Sequence, residues 1–255
     1  MSDGMSEIGP EAPTRDRLLN GRIAFVQPQA GLRSAIDPFL LAAALPDRGA
    51  FMLAADLGAG AGAASLCLAA RLAEVCVVGL EIDPALASLA RANALANGFG
   101  ARLQIIAGDV ARPPFKRESF DEVMVNPPYL QPTRATAPPG AAKALASVEG
   151  AADLAVWVKT ALALARSGGA VTFIHRADRL YDLLAAMGAH GGAGGVVIFP
   201  LWPRRGEPAK RVIVRARKGS RAPFSLDAGL VLHEADGRYT PAAEAILRAG
   251  QGLAI

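Results

Sequence analysis

The chain reads as an α/β protein built on a Rossmann-like, seven-stranded, doubly wound sheet with an antiparallel edge strand. Three observations predict this. Short apolar runs alternate with helical segments of about 10–15 residues, the pattern of a mostly parallel sheet covered on both faces. The last two apolar runs, Val196 to Leu201 and Val212 to Ala216, are joined by a Pro- and Arg-rich link too short for a crossover helix, so they pair antiparallel. The 255 residues are 52% hydrophobic and 20% charged, enough for a sizeable core and incompatible with overall disorder. Aromatics are only 5% and Ala is abundant, so small residues are expected where helices meet the sheet.

In chain order, residues 1–21 are polar and Pro-containing and read as a mobile tail. Residues 22–46 form a supporting unit ahead of the main domain, 47–255. In it, Ile23 to Val26 alternate and turn at Pro28 to Gly31, which suggests a small hairpin. Asp37-Pro38 before Phe39, Leu40 and Leu41 reads as an N-cap, a proline at the first helical position and a buried helix. Strands follow at 51–56, 75–81, 103–107, 121–125, 170–174, 195–201 and 210–217, with helices at 61–73, 84–97, 150–166 and 177–188. Asp83-Pro84 is the expected cap of the second of these helices. Residues 131–147 are rich in Ala and Pro and are expected to form a flexible loop beside a site. A turn at Asp236-Gly237 and a helix capped by Thr240-Pro241 complete the chain as a small appendage.

Several function classes are excluded or disfavoured. No run of about 18 uncharged apolar residues exists, so no transmembrane helix is expected. Met1 to Pro13 carries Asp3, Glu7 and Glu11 and lacks the pattern of a secretory signal, pointing to a cytoplasmic protein. Cys67 and Cys76 are too few for a disulfide framework or zinc site, and His175, His190 and His233 have no partners at ligand spacing, so no bound metal is expected. The net charge of +4 names no partner, but its distribution is uneven. Between Pro203 and Arg221, Arg204, Arg205, Lys210, Arg211, Arg215, Arg217, Lys218 and Arg221 stand against Glu207 alone, as on a docking surface for an anionic partner. A solvated edge hairpin protected by its charges is the plainer alternative.

Four strand ends carry the chemistry. Asp56-Leu57-Gly58-Ala59-Gly60-Ala61-Gly62 ends one strand and opens a helix, where glycines let a ligand approach the backbone and a helix N-terminus offers free amides. A dinucleotide site is a rival reading, since Gly58, Gly60 and Ala63 fit G-x-G-x-x-A; Asp56 before the first glycine suits a cationic or hydroxyl-rich cofactor better than a pyrophosphate. Glu81, ending the next strand, can accept from a ribose diol, whether of NAD or of S-adenosylmethionine. Asp109 after the third strand can accept from an adenine amino group or simply close a turn. The fourth strand runs into Asn126-Pro127-Pro128-Tyr129, the most specific signal. Two carbonyl acceptors and an aromatic face there suit a planar NH2-bearing group at the carboxyl edge of the sheet.

These motifs, in this order, resemble those of the class I S-adenosylmethionine-dependent methyltransferases that methylate exocyclic or amide nitrogen. From Arg22 onward the chain resembles, more narrowly, the bacterial tRNA adenine-N6 methyltransferases that modify an adenosine beside the valine anticodon. The resemblance implies S-adenosylmethionine as cofactor and tRNA as partner. It implies a cofactor site of Asp37, Asp56, Gly58, Ala59, Gly60, Glu81, Ile82, Asp109, Val110 and Asn126. Asn126, Pro127, Pro128 and Tyr129 would hold the target base, and Arg204, Arg205, Lys210 and Arg211 the nucleic acid. A release-factor-type glutamine methyltransferase, which shares the Asn-Pro-Pro-Tyr motif, and a DNA adenine methyltransferase are the alternatives.

Overall fold

A computed structural model describes residues 13–29, 36–128 and 153–255. The chain begins with an antiparallel hairpin of β1 (Thr14–Leu18) and β2 (Ile23–Gln27). Its turn is Leu19 to Arg22, not Pro28 to Gly31, and its first strand lies within the stretch expected to be a tail. The cause is Asn20-Gly21, whose positive φ values of 54° and 88° give the turn whose twist matches paired strands. Leu18, Leu19, Ile23 and Phe25 are buried, so this turn also anchors the hairpin in the core.

α1 (Asp37–Ala43) follows, then β3 (Met52–Leu57), α2 (Ala63–Arg71), β4 (Val75–Glu81), α3 (Pro84–Ala96), β5 (Leu103–Ala107) and β6 (Phe120–Val125). Asp83 caps α3 as expected, accepting from the amides of Ala85 at 2.8 Å and Leu86 at 3.4 Å. Asp37 is not a cap: Ile36 holds that position, and the Asp37 carboxylate accepts from Arg211 Nε at 3.0 Å. After the 129–152 segment come α4 (Leu154–Leu164), β7 (Ala165–Arg176), α5 (Leu180–His190), β8 (Ala193–Trp202) and β9 (Arg211–Lys218). Two short strands, β10 (Ser225–Leu226) and β11 (Leu230–Val231), pair with β8, and α6 (Pro241–Leu247) is capped by Thr240.

The main sheet runs β5-β4-β3-β6-β7-β9-β8, with β10 and β11 added on β8. β9 is antiparallel to both neighbours and every other pairing is parallel, so this is the doubly wound sheet with an antiparallel strand that alternation and link length predict. One apolar cluster joins the hairpin, α1, α2, α3 and α6 to one face, and the other joins α4 and α5 to the opposite face. Small residues set the contacts: a Cβ on Gly62 would lie 3.2 Å from Ala90 Cβ on α3.

This topology positions the site. β3, β4, β5, β6, β7 and β8 all end at one edge, so the segments after Leu57, Glu81, Ala107, Val125, Arg176 and Trp202 share it. Among the described residues, no helix is long and apolar enough to cross a membrane. Nor does any group of three His, Cys, Asp or Glu side chains gather as metal ligands there. Cys67 and Cys76 are free, and burial pushes the Cys67 thiol up to about 12.

Candidate active site

The glycine loop after β3 is shaped by hydrogen bonds to the next strand. Gly58 and Ala59 donate to Leu80 O at 2.8 and 3.0 Å, and Gly60 donates to Glu81 Oε2 at 2.7 Å. Gly58, Gly60 and Gly62 take φ values of +75°, +56° and +90°, and no atom lies within 4 Å of a Cβ built on Gly60. The loop is thus an open cradle of backbone leading into α2, whose cap Gly62 offers no side chain to its first amides.

Glu81 is buried, and each carboxylate oxygen accepts one backbone amide: Oε2 from Gly60, Oε1 from Asp83 at 3.0 Å. An ionised carboxylate has about four acceptor positions, so one remains on each oxygen, the arrangement a vicinal diol needs. Ile82 beside it is a large apolar residue left 64% exposed at the sheet edge. Asp109 spends Oδ1 on its own turn, accepting from Ala111 N at 2.8 Å. Val110 is buried, and its carbonyl accepts from Thr160 Oγ1 at 2.9 Å.

Asp56 lies fully inside, with Oδ2 accepting from Ser65 Oγ of α2 at 2.6 Å. Burial raises its pKa to about 6, against the opposing Ser65 hydrogen bond and with help from the nearby Glu81 charge. Asn126, Pro127 and Pro128 follow β6 directly, with Pro127 buried and its neighbours half-buried. Tyr129 and residues 131–147 lie outside the described residues.

The remaining expected residues are divided. Asp37 stands at the start of α1, tied to Arg211, which is therefore engaged rather than a freely exposed cation. Arg204, Arg205 and Lys210 are exposed on the β8–β9 turn, and Arg204 pairs with Glu207 at 3.3 Å. The basic window is not one surface. Arg215 turns into the core against Glu122 at 2.7 Å, and Lys218 pairs with Glu118 at 2.9 Å. Arg211, Arg215 and Arg217 share one face of β9 and Lys218 lies on the other; the middle of the strand is covered and its ends are not, so this run of charge is divided between buried and accessible positions. Because β8 ends at the same edge as β6, the exposed turn lies three strand spacings, about 14 Å, along the edge from Asn126. The appendage braces this turn: His233 N donates to Pro203 O at 3.0 Å, and its ring stacks on Tyr239 at 4.7 Å.

Sequence reasoning passed over Ser65, Asn93 and Trp157. Asn93 Nδ2 donates to Ala61 O of the glycine loop at 3.0 Å, and Trp157 lies against Gly58. A polar residue on an inward helix position was the available signal for the first two. His175, at the end of β7, is buried and kept neutral, its pKa pushed down to about 4 by burial and by Arg179, Arg211 and Arg176.

Comparison with known proteins gives the family and the fold. Residues 54–149 match a methyltransferase domain family. A tRNA1(Val) (adenine(37)-N6)-methyltransferase of Porphyromonas gingivalis is 31% identical over 195 residues, 73% of this chain and 74% of the relative. A release factor glutamine methyltransferase of Moorella thermoacetica is 38% identical over only 81 residues, 32% of this chain and 28% of that one. Among solved structures, a predicted O-methyltransferase of Agrobacterium tumefaciens superposes with a TM-score of 0.71 at 32% identity, covering 86% of this chain and 99% of the other. A geranyl diphosphate C-methyltransferase of Streptomyces coelicolor, bound to S-adenosyl-L-homocysteine, shares the fold at 14% identity and a TM-score of 0.52, over 71% and 78% of the two chains. With this likeness spread over most of its length, the chain belongs to the class I S-adenosylmethionine-dependent methyltransferases, in the family of the tRNA1(Val) (adenine-N6)-methyltransferases.

Proposed function

We propose that this methyltransferase acts on the exocyclic N6 amino group of an adenine in RNA, with tRNA as the substrate class and the cytoplasm as its place of work. The observation that carries the reading is Asn126-Pro127-Pro128 at the end of β6, on the same sheet edge as the glycine loop and Glu81. In this reading Gly58 to Gly60 face the methionine portion of the cofactor and Asp56 answers its amino group. Glu81 takes the ribose hydroxyls, while Ile82, Asp109 and Val110 border the adenine. S-adenosylmethionine supplies the electrophilic methyl group.

The protein's task is then to present a weak nucleophile. An adenine amino nitrogen has its lone pair delocalised into the ring. Asn126 Oδ1 and the Pro127 carbonyl accept its two N–H bonds, which favours a pyramidal nitrogen and stabilises the charge developing there. The prolines fix the backbone so that both acceptors stay in place. Neither acceptor is a base, and none is required, because the proton can leave after methyl transfer. The same pair of acceptors can take a hydrogen bond from a hydroxyl substrate but cannot remove the proton that it must lose as it attacks. Tyr129 completes the corner with a stacking face, and Arg204, Arg205 and Lys210 hold flanking phosphates.

Incubation with labelled S-adenosylmethionine and separate tRNA, ribosomal RNA, DNA and release-factor pools tests this. N6-methyladenosine in tRNA is the expected product; label confined to protein, DNA or a hydroxyl group overturns it. Asn126→Ala should reduce turnover by roughly 10²–10³-fold, the cost of one lost transition-state hydrogen bond, while cofactor binding persists. Charge reversal of Arg204 and Arg205 should weaken RNA binding most at low salt.

A further inference from the structure

Helix α4 touches both loops of the proposed cofactor site through one face. Trp157 lies in its first turns and is 8% exposed. A Cβ added to Gly58 would come within 2.9 Å of Trp157 Cη2 and 3.1 Å of Cζ3. The indole therefore fills the space where residue 58 would carry a side chain. Three residues on, and so on the same helix face, Thr160 Oγ1 donates to Val110 O at 2.9 Å. One face of α4 thus sets the height of the glycine loop and also holds the turn after β5.

We infer that Trp157 is a positioning residue for the methyl-donor site, acting through Gly58. This rests on assigning the glycine loop to the cofactor. Trp157 belongs to the apolar cluster on this face of the sheet, and its ring edge also meets the bare backbone of Gly58, where the glycine loop begins. Two residues further, Gly60 N is bonded to Glu81 Oε2. Displacing the ring frees Gly58, loosens Gly60 and removes one of the two amides that orient the Glu81 carboxylate. The consequence belongs to cofactor affinity before it belongs to chemistry.

Calorimetric titration with S-adenosyl-L-homocysteine provides the test. Wild-type protein must bind; failure there overturns the site assignment itself rather than the role of Trp157. Trp157→Leu keeps an apolar side chain but not the plane, and is expected to raise Kd roughly tenfold, a modest packing loss expressed as affinity. Trp157→Phe should recover most of that loss. An unchanged Kd in Trp157→Leu overturns the proposal. So does strict additivity of Gly58→Ala with Trp157→Leu, because an added methyl at residue 58 should cost less once the ring is gone. Should Trp157→Leu fail to fold, Trp202→Phe leaves Trp157 as the sole indole. Its emission should then shift or quench on saturation with S-adenosyl-L-homocysteine, and an unaltered spectrum overturns the inference.

Discussion

Asp56 shows how a single side chain can set the pH response of the site. Its carboxyl is buried and titrates at about 6, because burial outweighs the hydrogen bond from Ser65. A raised carboxyl pKa means that ionising the group opposes folding. The cost is complete above pH 6 and is relieved as the pH falls toward the ordinary value of 3.8. Asp56→Asn, which can still accept from Ser65, should therefore be more stable than wild type at pH 8, by up to about 3 kcal/mol. The difference should vanish near pH 4, and chemical denaturation at the two pH values measures it. A natural protein retains such a group where its charge has a use. An ammonium group of the bound cofactor is one, and cofactor binding should then release protons near pH 6 but not at pH 8. Calorimetry in buffers of different ionisation enthalpy reads this directly, and proton release equal at both values would remove Asp56 from the cofactor's amino group.

At the scale of elements, the N-terminal hairpin is joined to the main domain by side chains that imitate a strand. Asn97 of α3 exchanges two hydrogen bonds with Ala24, at 2.8 and 2.7 Å, and Asn93 exchanges two with Val26, at 2.9 and 2.8 Å. Four residues apart, the two asparagines lie on one face of α3 and pair with alternate residues of β2, closing an edge that would otherwise be open. Asn93 also reaches Ala61, so the hairpin and the glycine loop share one buried amide. Asn93→Ala should destabilise the protein by about 2–4 kcal/mol, since it leaves the backbone groups of Val26 and Ala61 without partners in a partly to fully buried site. Faster amide exchange in β2 and at the glycine loop, with β7 and β9 unchanged, is the expected pattern; a uniform change would contradict it. The alternation of strands and helices in the main domain was legible because each element buries a continuous face. The hairpin was misplaced because the Asn20-Gly21 turn lies in a polar stretch, and because partners 67 and 73 residues away satisfy β2. For the candidate site, the residues at strand ends were legible as motifs. Trp157 and Asn93 act from helix faces, where sequence periodicity reports burial but not the neighbour.

On the scale of the whole molecule, the sheet is braced at its centre by a buried ion network that belongs to no functional motif. Glu122 of β6 is inaccessible to solvent and takes both guanidinium nitrogens of Arg215 from β9, at 2.8 and 2.7 Å. The bonds reach across β7, where Thr172 Oγ1 receives a further one from Arg215 at 2.8 Å. Arg48, in the loop after α1, closes on the same carboxylate at 2.5 Å. Three strands and the loop after α1 are thus tied through one acid. Removing a single partner of a buried pair leaves the other charged and desolvated, at a cost of about 3–5 kcal/mol, whereas replacing the pair by apolar groups can be neutral. Glu122→Ala should therefore lower the melting temperature by roughly 10 °C, given about 2–4 °C per kcal/mol in a domain of this size. Glu122→Leu combined with Arg215→Met should recover much of that loss, though not all, because Arg48 and Thr172 lose their partner as well. The network lies below the strand ends that form the site, and the cofactor affinity of the double variant should match wild type. A fall in affinity without a fall in melting temperature would mean that the brace sets the shape of the sheet's carboxyl edge rather than its stability.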